Sequence, residues 1–138
     1  MSKDEPVAGG APTPVRDARA MVAAMSPRLD PERYVFCTGA APIAEAIACF
    51  REAEGLSQIV PLDAAHEAGL DTRLVMARIS LEVYSSLEGF GLTAAVSSAL
   101  AEAQIACNMV AAYHHDHVFV PEADKHRAMD ILRALQSS

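Results

Sequence analysis

Between Val75 and Val83 every second residue is apolar: Val75, Ala77, Ile79, Leu81 and Val83 alternate with Met76, Arg78, Ser80 and Glu82. Successive side chains of an extended strand point to opposite faces, so this alternation predicts a strand with one apolar face to be covered and a second, mixed face. The following residues supply the cover. Gly89 and Gly91 break the chain, and residues 92–103 then carry Leu92, Val96, Ala99, Leu100 and Ala103 at helical spacing, with small residues between that permit close packing. A strand over residues 105–113 and another over 117–120 are expected about a tight turn near residues 114–116. Pro121 then opens a helix with Glu122 and Asp124 in its first turn, where carboxylates suit the positive end of the helix dipole. Ala128, Ile131, Leu132 and Leu135 form its buried stripe.

Strand, helix, strand, strand, helix over residues 73–135 lacks only a last strand to complete the split βαβ arrangement of a ferredoxin-like fold. The missing strand has to come from the first half. Residues 34–38 (YVFCT) are rich in aromatic and β-branched types and stop at Gly39, and residues 56–62 (LSQIVPL) read as a strand with Pro61 at its end or on a sheet edge. The two halves are therefore expected to interlock. Helices are expected over residues 16–25, ended by Ser26 and Pro27, and over residues 42–54, with Ile43, Ile47 and Phe50 on one stripe and Gly55 beyond the end. One or two further helical turns fit residues 63–68, between an N-cap Asp63 and Gly69. Residues 1–15 combine prolines and glycines with almost nothing to bury and are expected to be a disordered tail, followed by an N-terminal half over 16–72 and a C-terminal half over 73–138.

A chain of 138 residues can bury one sizeable core or two small ones that share a sheet. Its formal net charge of -7, with basic residues scattered, gives no positive field for a phosphate backbone, which argues against nucleic acid as a partner. No apolar run reaches the roughly 18 to 20 residues of a membrane span, and the N-terminus lacks the layout of a signal peptide. Cys37, Cys49 and Cys107, widely spaced among apolar neighbours, read as small core hydrophobes of a reducing compartment, so a cytoplasmic protein is expected.

Several groups are candidates for binding. Gly89 and Gly91 free the backbone before a helix whose first N-H groups can face a carboxylate; Ser85 and Ser86 add hydroxyls, and Glu88 can hold an ammonium, a set that matches a zwitterionic amino acid. Equally, Ser85 and Glu88 can form a capping box and the glycines only a turn. Asn108, within an apolar strand, is a buried-polar candidate that either braces this loop or touches a ligand. The run His114, His115, Asp116, His117 raises a metal site, but along a strand only His115 and His117 converge, too few for a closed zinc site; histidines hydrogen-bonded to backbone are the commoner outcome. Glu52 and Glu54 could serve acid-base chemistry, yet beside Arg51 they read better as a solvated face. No Gly-rich phosphate loop, nucleophile elbow or metalloprotease helix is present, so neither catalytic residues nor a cofactor are assigned.

The run GLTAAVSSALAEAQIACNMVAAYHHDHVFV resembles the ACT domain, in which Gly-Leu or Gly-Val opens the first helix and Ala-x-x-x-Ile followed by Asn opens the second strand. With MSPRLDPERYVFCTG, EAEGLSQIVP and SSLEGFGLTAA it is similar to a family of small bacterial ACT-type proteins of unknown function, over residues 20–135. The resemblance implies an α+β ferredoxin-like βαββαβ antiparallel sheet with helices on one face, two tandem or intertwined ACT-like units, and a homodimer or higher homo-oligomer. It also implies a small-molecule effector, an amino acid, bound near the loop between first strand and first helix. That loop corresponds here to Ser85, Ser86, Glu88, Gly89, Gly91 and Leu92, with Asn108 on the neighbouring strand. A regulatory sensor without catalysis is the expectation; the alternative is a structural or interaction module that assembles through its sheet and binds nothing small.

Overall fold

The computed structural model describes residues 17–83 and 87–138. The expected tail over residues 1–15 and the sites Ser85 and Ser86 lie outside the described residues. In chain order the elements are α1 (Ala18–Ala24), β1 (Pro27–Thr38), β2 (Ala48–Glu52), β3 (Gly55–Pro61), α2 (Leu62–Glu67), β4 (Met76–Leu81), α3 (Leu92–Glu102), β5 (Asn108–Ala111), β6 (Asp116–Pro121), a 3-10 turn (Glu122–Asp124) and α4 (Lys125–Gln136). The strands form one six-stranded antiparallel sheet in the order β2-β3-β1-β4-β6-β5.

That order is two ferredoxin-like units with their central strands in common. In the second half β4, β5 and β6 are the first three strands of a unit whose fourth position, beside β4, is filled by β1; in the first half β1, β2 and β3 take the same places and β4 is the fourth. The interlocking expected from the missing strand is present, and β1 is its means.

The alternation along β4 is met on its apolar face. Ala77, Ile79 and Leu81 join Val118 and Val120 of β6 beneath Met21 and Met25 of the α1 segment, Val96 and Leu100 of α3, and Ala128, Met129 and Leu132 of α4. Val35 and Val60, on the same face, pack with Leu62 and Ala65 of α2, so all the helices cover one side of the sheet. The other side is better filled than its polarity suggests: Tyr34, Ile59, Met76 and Phe119 form a second buried cluster, with Phe119 edge-on to Tyr34 and Phe36 at 5.9 and 5.2 Å between ring centres.

Several expectations need correction. Residues 42–54 are not a helix. Their second part is β2, paired with β3 from Ala48↔Ile59 to Glu52↔Gly55, and the two residues between make a tight turn that Gly55 leaves at φ +144°. Ile47 and Phe50, set on the helix's buried stripe, are exposed, Phe50 to 73%. Backbone pairing to β3 prevails over a stripe of only three apolar residues. The preceding loop is held by the buried Gln58, whose Nε2 donates to the Ala41 carbonyl (3.1 Å) and whose Oε1 accepts from the Ile43 N-H (2.8 Å).

Strand β1 begins seven residues earlier than expected, at Pro27. Pro27 is the strand's first residue and Pro31 lies in a register shift between Leu29 and Arg33, the places where a strand tolerates proline. Asp63 is not an N-cap: α2 starts at Leu62 with Asp63 in its first turn, while Gly69, at φ +68°, ends it as expected. Strand β5 starts at Asn108 because Gln104, at φ +58°, closes α3 and the Ile105 N-H returns to the Leu100 carbonyl at 3.0 Å. Cys49 is exposed, against the expectation of a core residue, while Cys37 and Cys107 are half-buried and pack against the buried clusters. Among the described residues no helix is long and apolar enough to cross a membrane.

Candidate functional site

The loop from β4 to α3 is the place to which the sequence points. Glu88 is exposed and Gly89 half-buried. Gly91 is the N-cap of α3, at φ +106°, with no side-chain capping bond, and the capping box read from Ser85 and Glu88 rests on Ser85, outside the described residues. A Cβ on Gly91 would lie 2.6 Å from the Cβ of Ala18, so this glycine is required both by its dihedral angle and by the approach of α1. Leu92 is 3% exposed and belongs to the core. A groove of about 610 Å³ runs past Gly91 between Ala18, Arg19, Val22, Ala95 and Gln136.

Asn108 is elsewhere. It is exposed on the edge strand β5 and pairs opposite Phe119, itself opposite Arg78, whereas the end of β4 that enters the loop lies at Leu81, opposite Asp116 and Ala111. Asn108 instead lines a small cleft of about 180 Å³ with Phe36, Leu74 and Met76. It is neither the buried polar group nor the loop brace that its apolar neighbours suggest, because those neighbours are in an edge strand with its sides half open.

The histidines are used locally. Nδ1 of His115 lies 3.1 Å from the Val83 carbonyl, Nδ1 of His117 is 2.9 Å from Oγ of Ser80, and His114 stands edge-on to Tyr113 at 5.0 Å. Among the described residues no group of three or more His, Cys, Asp or Glu side chains is placed to hold a metal ion. Burial lowers the pKa of His117, helped by the charges of Arg78 and His115.

Two features escape the sequence reading. The first is a half-buried polar cluster on the helix-free face. Asp30, in the irregular stretch of β1, accepts from the Glu32 N-H (2.8 Å), the Tyr34 hydroxyl (2.7 Å), and Nε and Nη2 of Arg78 (3.0 and 2.6 Å). Burial pushes the Asp30 carboxyl up, but these hydrogen bonds and the Arg78 charge outweigh it and hold the pKa below the ordinary value; Tyr34, buried and donating to Asp30, is raised to about 12. The guanidinium of Arg78 also stands 5.2 Å from the Tyr34 ring centre. No spacing rule joins residues 30, 34 and 78; the β1–β4 register does.

The second is a cleft at the end of β1. Pairing of β1 with β4 stops at Tyr34↔Met76, while pairing with β3 continues to Thr38↔Ser57. Residues 35–38 thus have β3 on one side and, among the described residues, no paired strand on the other. Beside them lies a cleft of about 490 Å³ lined by Phe36, Cys37, Thr38, Glu52, Ser57, Leu70 and Asp71. Asp71 is gripped by Arg73 through Nε and Nη2 at 3.0 and 2.7 Å, which depresses its pKa to about 2. Burial raises the Cys37 thiol.

Models of the ACT domain match residues 13–77 and residues 71–134. A Vibrio cholerae protein of unknown function, described as a possible transport protein, is 40% identical in sequence; the match covers 83% of this chain and 92% of that one with a TM-score of 0.74. The structure of aspartokinase α and β subunits matches at 14% identity over 81% of this chain and 97% of that one, TM-score 0.57. A Clostridium acetobutylicum aspartate kinase, described as an allosteric enzyme, matches at 9% identity over 76% of this chain and 32% of the kinase, TM-score 0.53. These last two share the fold. No curated protein sequence matches the chain.

Proposed function

The chain belongs to the ACT-domain proteins, as a tandem of two units, and from that premise we propose that it is a cytoplasmic, homo-oligomeric regulatory protein that binds a small effector, an amino acid, and performs no chemistry of its own. The observation that carries the reading is the pair of ACT units locked through β1 and β4. A neighbour of the same fold that is described as allosteric supports it. We divide the units near residues 72 and 73, within the stretch 71–77 that the two matched ranges share.

The effector has two places to go. One is the β4–α3 loop, with Ser85, Ser86, Glu88 and Gly89; Gly91 and Leu92 serve packing there. The other is the end of β1, beyond which Asn108 shares the neighbouring cleft with Phe36. A thermal-shift series against the twenty amino acids tests the reading. A ligand present at a hundred times its dissociation constant stabilises the native state by about 2.7 kcal/mol, so one amino-acid class should raise the melting temperature saturably by several degrees. A flat response to all twenty would reject it.

Exposed Phe50, Leu87, Phe90 and Tyr113 favour a second reading, an interaction module that assembles without a small ligand. Light scattering on the eluting protein would then show an oligomer whose mass and stability no amino acid alters.

A further inference from the structure

We propose that Arg28, Ser80 and His117, on the helix-free face of the sheet, form an oxyanion site that takes a tetrahedral anion, either inorganic phosphate or the phosphate group of a small ester. It is separate from the effector reading and does not depend on it. Strand register brings the three together. Arg28 of β1 is paired with Ser80 of β4, and Ser80 with His117 of β6, so one row crosses three strands with its side chains on the same face. Ser80 is 4% exposed although no helix covers this face, and its Oγ lies 2.9 Å from Nδ1 of His117. That contact commits one ring nitrogen; among the described residues Nε2 makes none. Arg28 is held by Glu82 through Nε, and its half-exposed guanidinium keeps its Nη donors. Neighbouring strands are about 4.8 Å apart, so the backbones at Arg28 and His117 are separated by roughly 9 to 10 Å. One tetrahedral anion with a hydrogen bond of about 2.8 Å on either side bridges such a gap above Ser80.

Charge then selects the class of ligand. The chain has a formal net charge of -7, yet the field at His117 has the other sign: after burial, the charges of Arg78, His115 and Arg28 hold its pKa down, with Glu82 opposing. Asp30, the other carboxylate on this face, is already shared by Arg78, the Tyr34 hydroxyl and the Glu32 N-H. Val110, opposite His117 on β5, brings no charge. An incoming anion meets the Arg28 guanidinium and the imidazole Nε2 within the field of Arg78, and it competes with one carboxylate, that of Glu82, whose side chain is 38% exposed and free to turn to solvent. A cation would meet the guanidiniums first. Among anions, a carboxylate spends both oxygens on one guanidinium, whereas a tetrahedral anion keeps acceptors for the imidazole as well.

The test is side-chain NMR of the five histidines in the full chain, titrated with sodium sulfate and with sodium phosphate against sodium chloride at equal ionic strength. Sulfate keeps its charge between pH 5 and 8, so it reports the protein's own proton. A bound anion favours the imidazolium, so sulfate is expected to raise the His117 pKa saturably and to bind about fivefold more tightly at pH 5 than at pH 8. His66 and His126, on the helices, should follow chloride. Arg28→Gln should weaken sulfate about tenfold and Glu82→Gln should tighten it about threefold. Both residues belong to an exposed ion pair, so each variant is expected to fold, and tightening by Glu82→Gln is a result that a merely structural pair would not give. Methyl phosphate bound more tightly than inorganic phosphate makes an ester the ligand, and the reverse makes it the free anion; either supports the site. A His117 titration that sulfate leaves where chloride does, an equal movement of His66 and His126, or binding that Arg28→Gln does not weaken would overturn it.

Discussion

At the scale of single residues, Gly91 is the most exacting position. Gly91→Ala adds a Cβ 2.6 Å from that of Ala18 and forces an alanine to φ +106°, for an expected loss of about 2 to 4 kcal/mol in denaturant unfolding. Ala18→Gly in the same chain should return part of that loss, since it removes the collision but not the dihedral strain; strict additivity of the two changes would contradict the packing described. This glycine could be marked from the sequence, yet its reason could not, because Ala18 comes from a helix 73 positions away. His117 adds a pH dependence. Its folded-state pKa is lowered from 6.5, through burial, then Arg78 and His115, with Glu82 opposing, so the folded state binds fewer protons than the unfolded one. The neutral imidazole's contribution is complete above pH 6.5 and lost as pH falls through and below that value. Stability should decline between pH 7.5 and 5, and His117→Gln should decline less over the same range by thermal melting. Tyr34 has the opposite window: raised to about 12, it contributes fully below pH 10 and loses that contribution as pH climbs toward 12.

At the scale of elements, the sequence was most legible where one period ran long enough to exclude others. Strand β4 and α3 stand close to their expected bounds because each carries an unbroken alternation or stripe, and α4 keeps its stripe but starts at Lys125, four residues after Pro121, behind the 3-10 turn that holds Glu122 and Asp124. Legibility failed where three apolar residues had to decide between helix and strand, as at Ile43, Ile47 and Phe50, and where the stretch carrying Pro27 and Pro31 shows no strand pattern, as in the first part of β1. In both, the deciding contacts are with distant segments: Gln58 fastens the loop that replaces the helix, and β4 aligns the proline-bearing stretch. Gln58→Leu removes the partners of a carbonyl and an N-H at nearly the same volume and should cost about 1 to 3 kcal/mol, with the Ile43 amide exchanging faster than its neighbours in β3. Asp30→Ala acts between elements, leaving Arg78 and Tyr34 with a lost partner on the half-covered face, and should cost about 2 to 4 kcal/mol. The loop residues were legible as candidates by type, whereas the β1 cleft was not, since an unpaired edge exists only once the sheet's register is known.

At the scale of the molecule, the sheet cannot be divided at residue 72 without removing a strand from both halves. Residues 17–72 expressed alone should lack cooperative unfolding, as should residues 73–138, and mixing the two should restore a folded heterodimer by circular dichroism and gel filtration. Independent folding of either half would contradict the shared strands. Because β1 lies between β3 and β4, the Phe36 edge and the Arg78 cluster are stretches of one strand, and each is fixed by a different half of the chain. Shared strands also tie the variation of the two units together: any substitution in the first half's leading strand is at once a substitution in the last strand of the second, so neither unit can be altered along that seam without answering to the other.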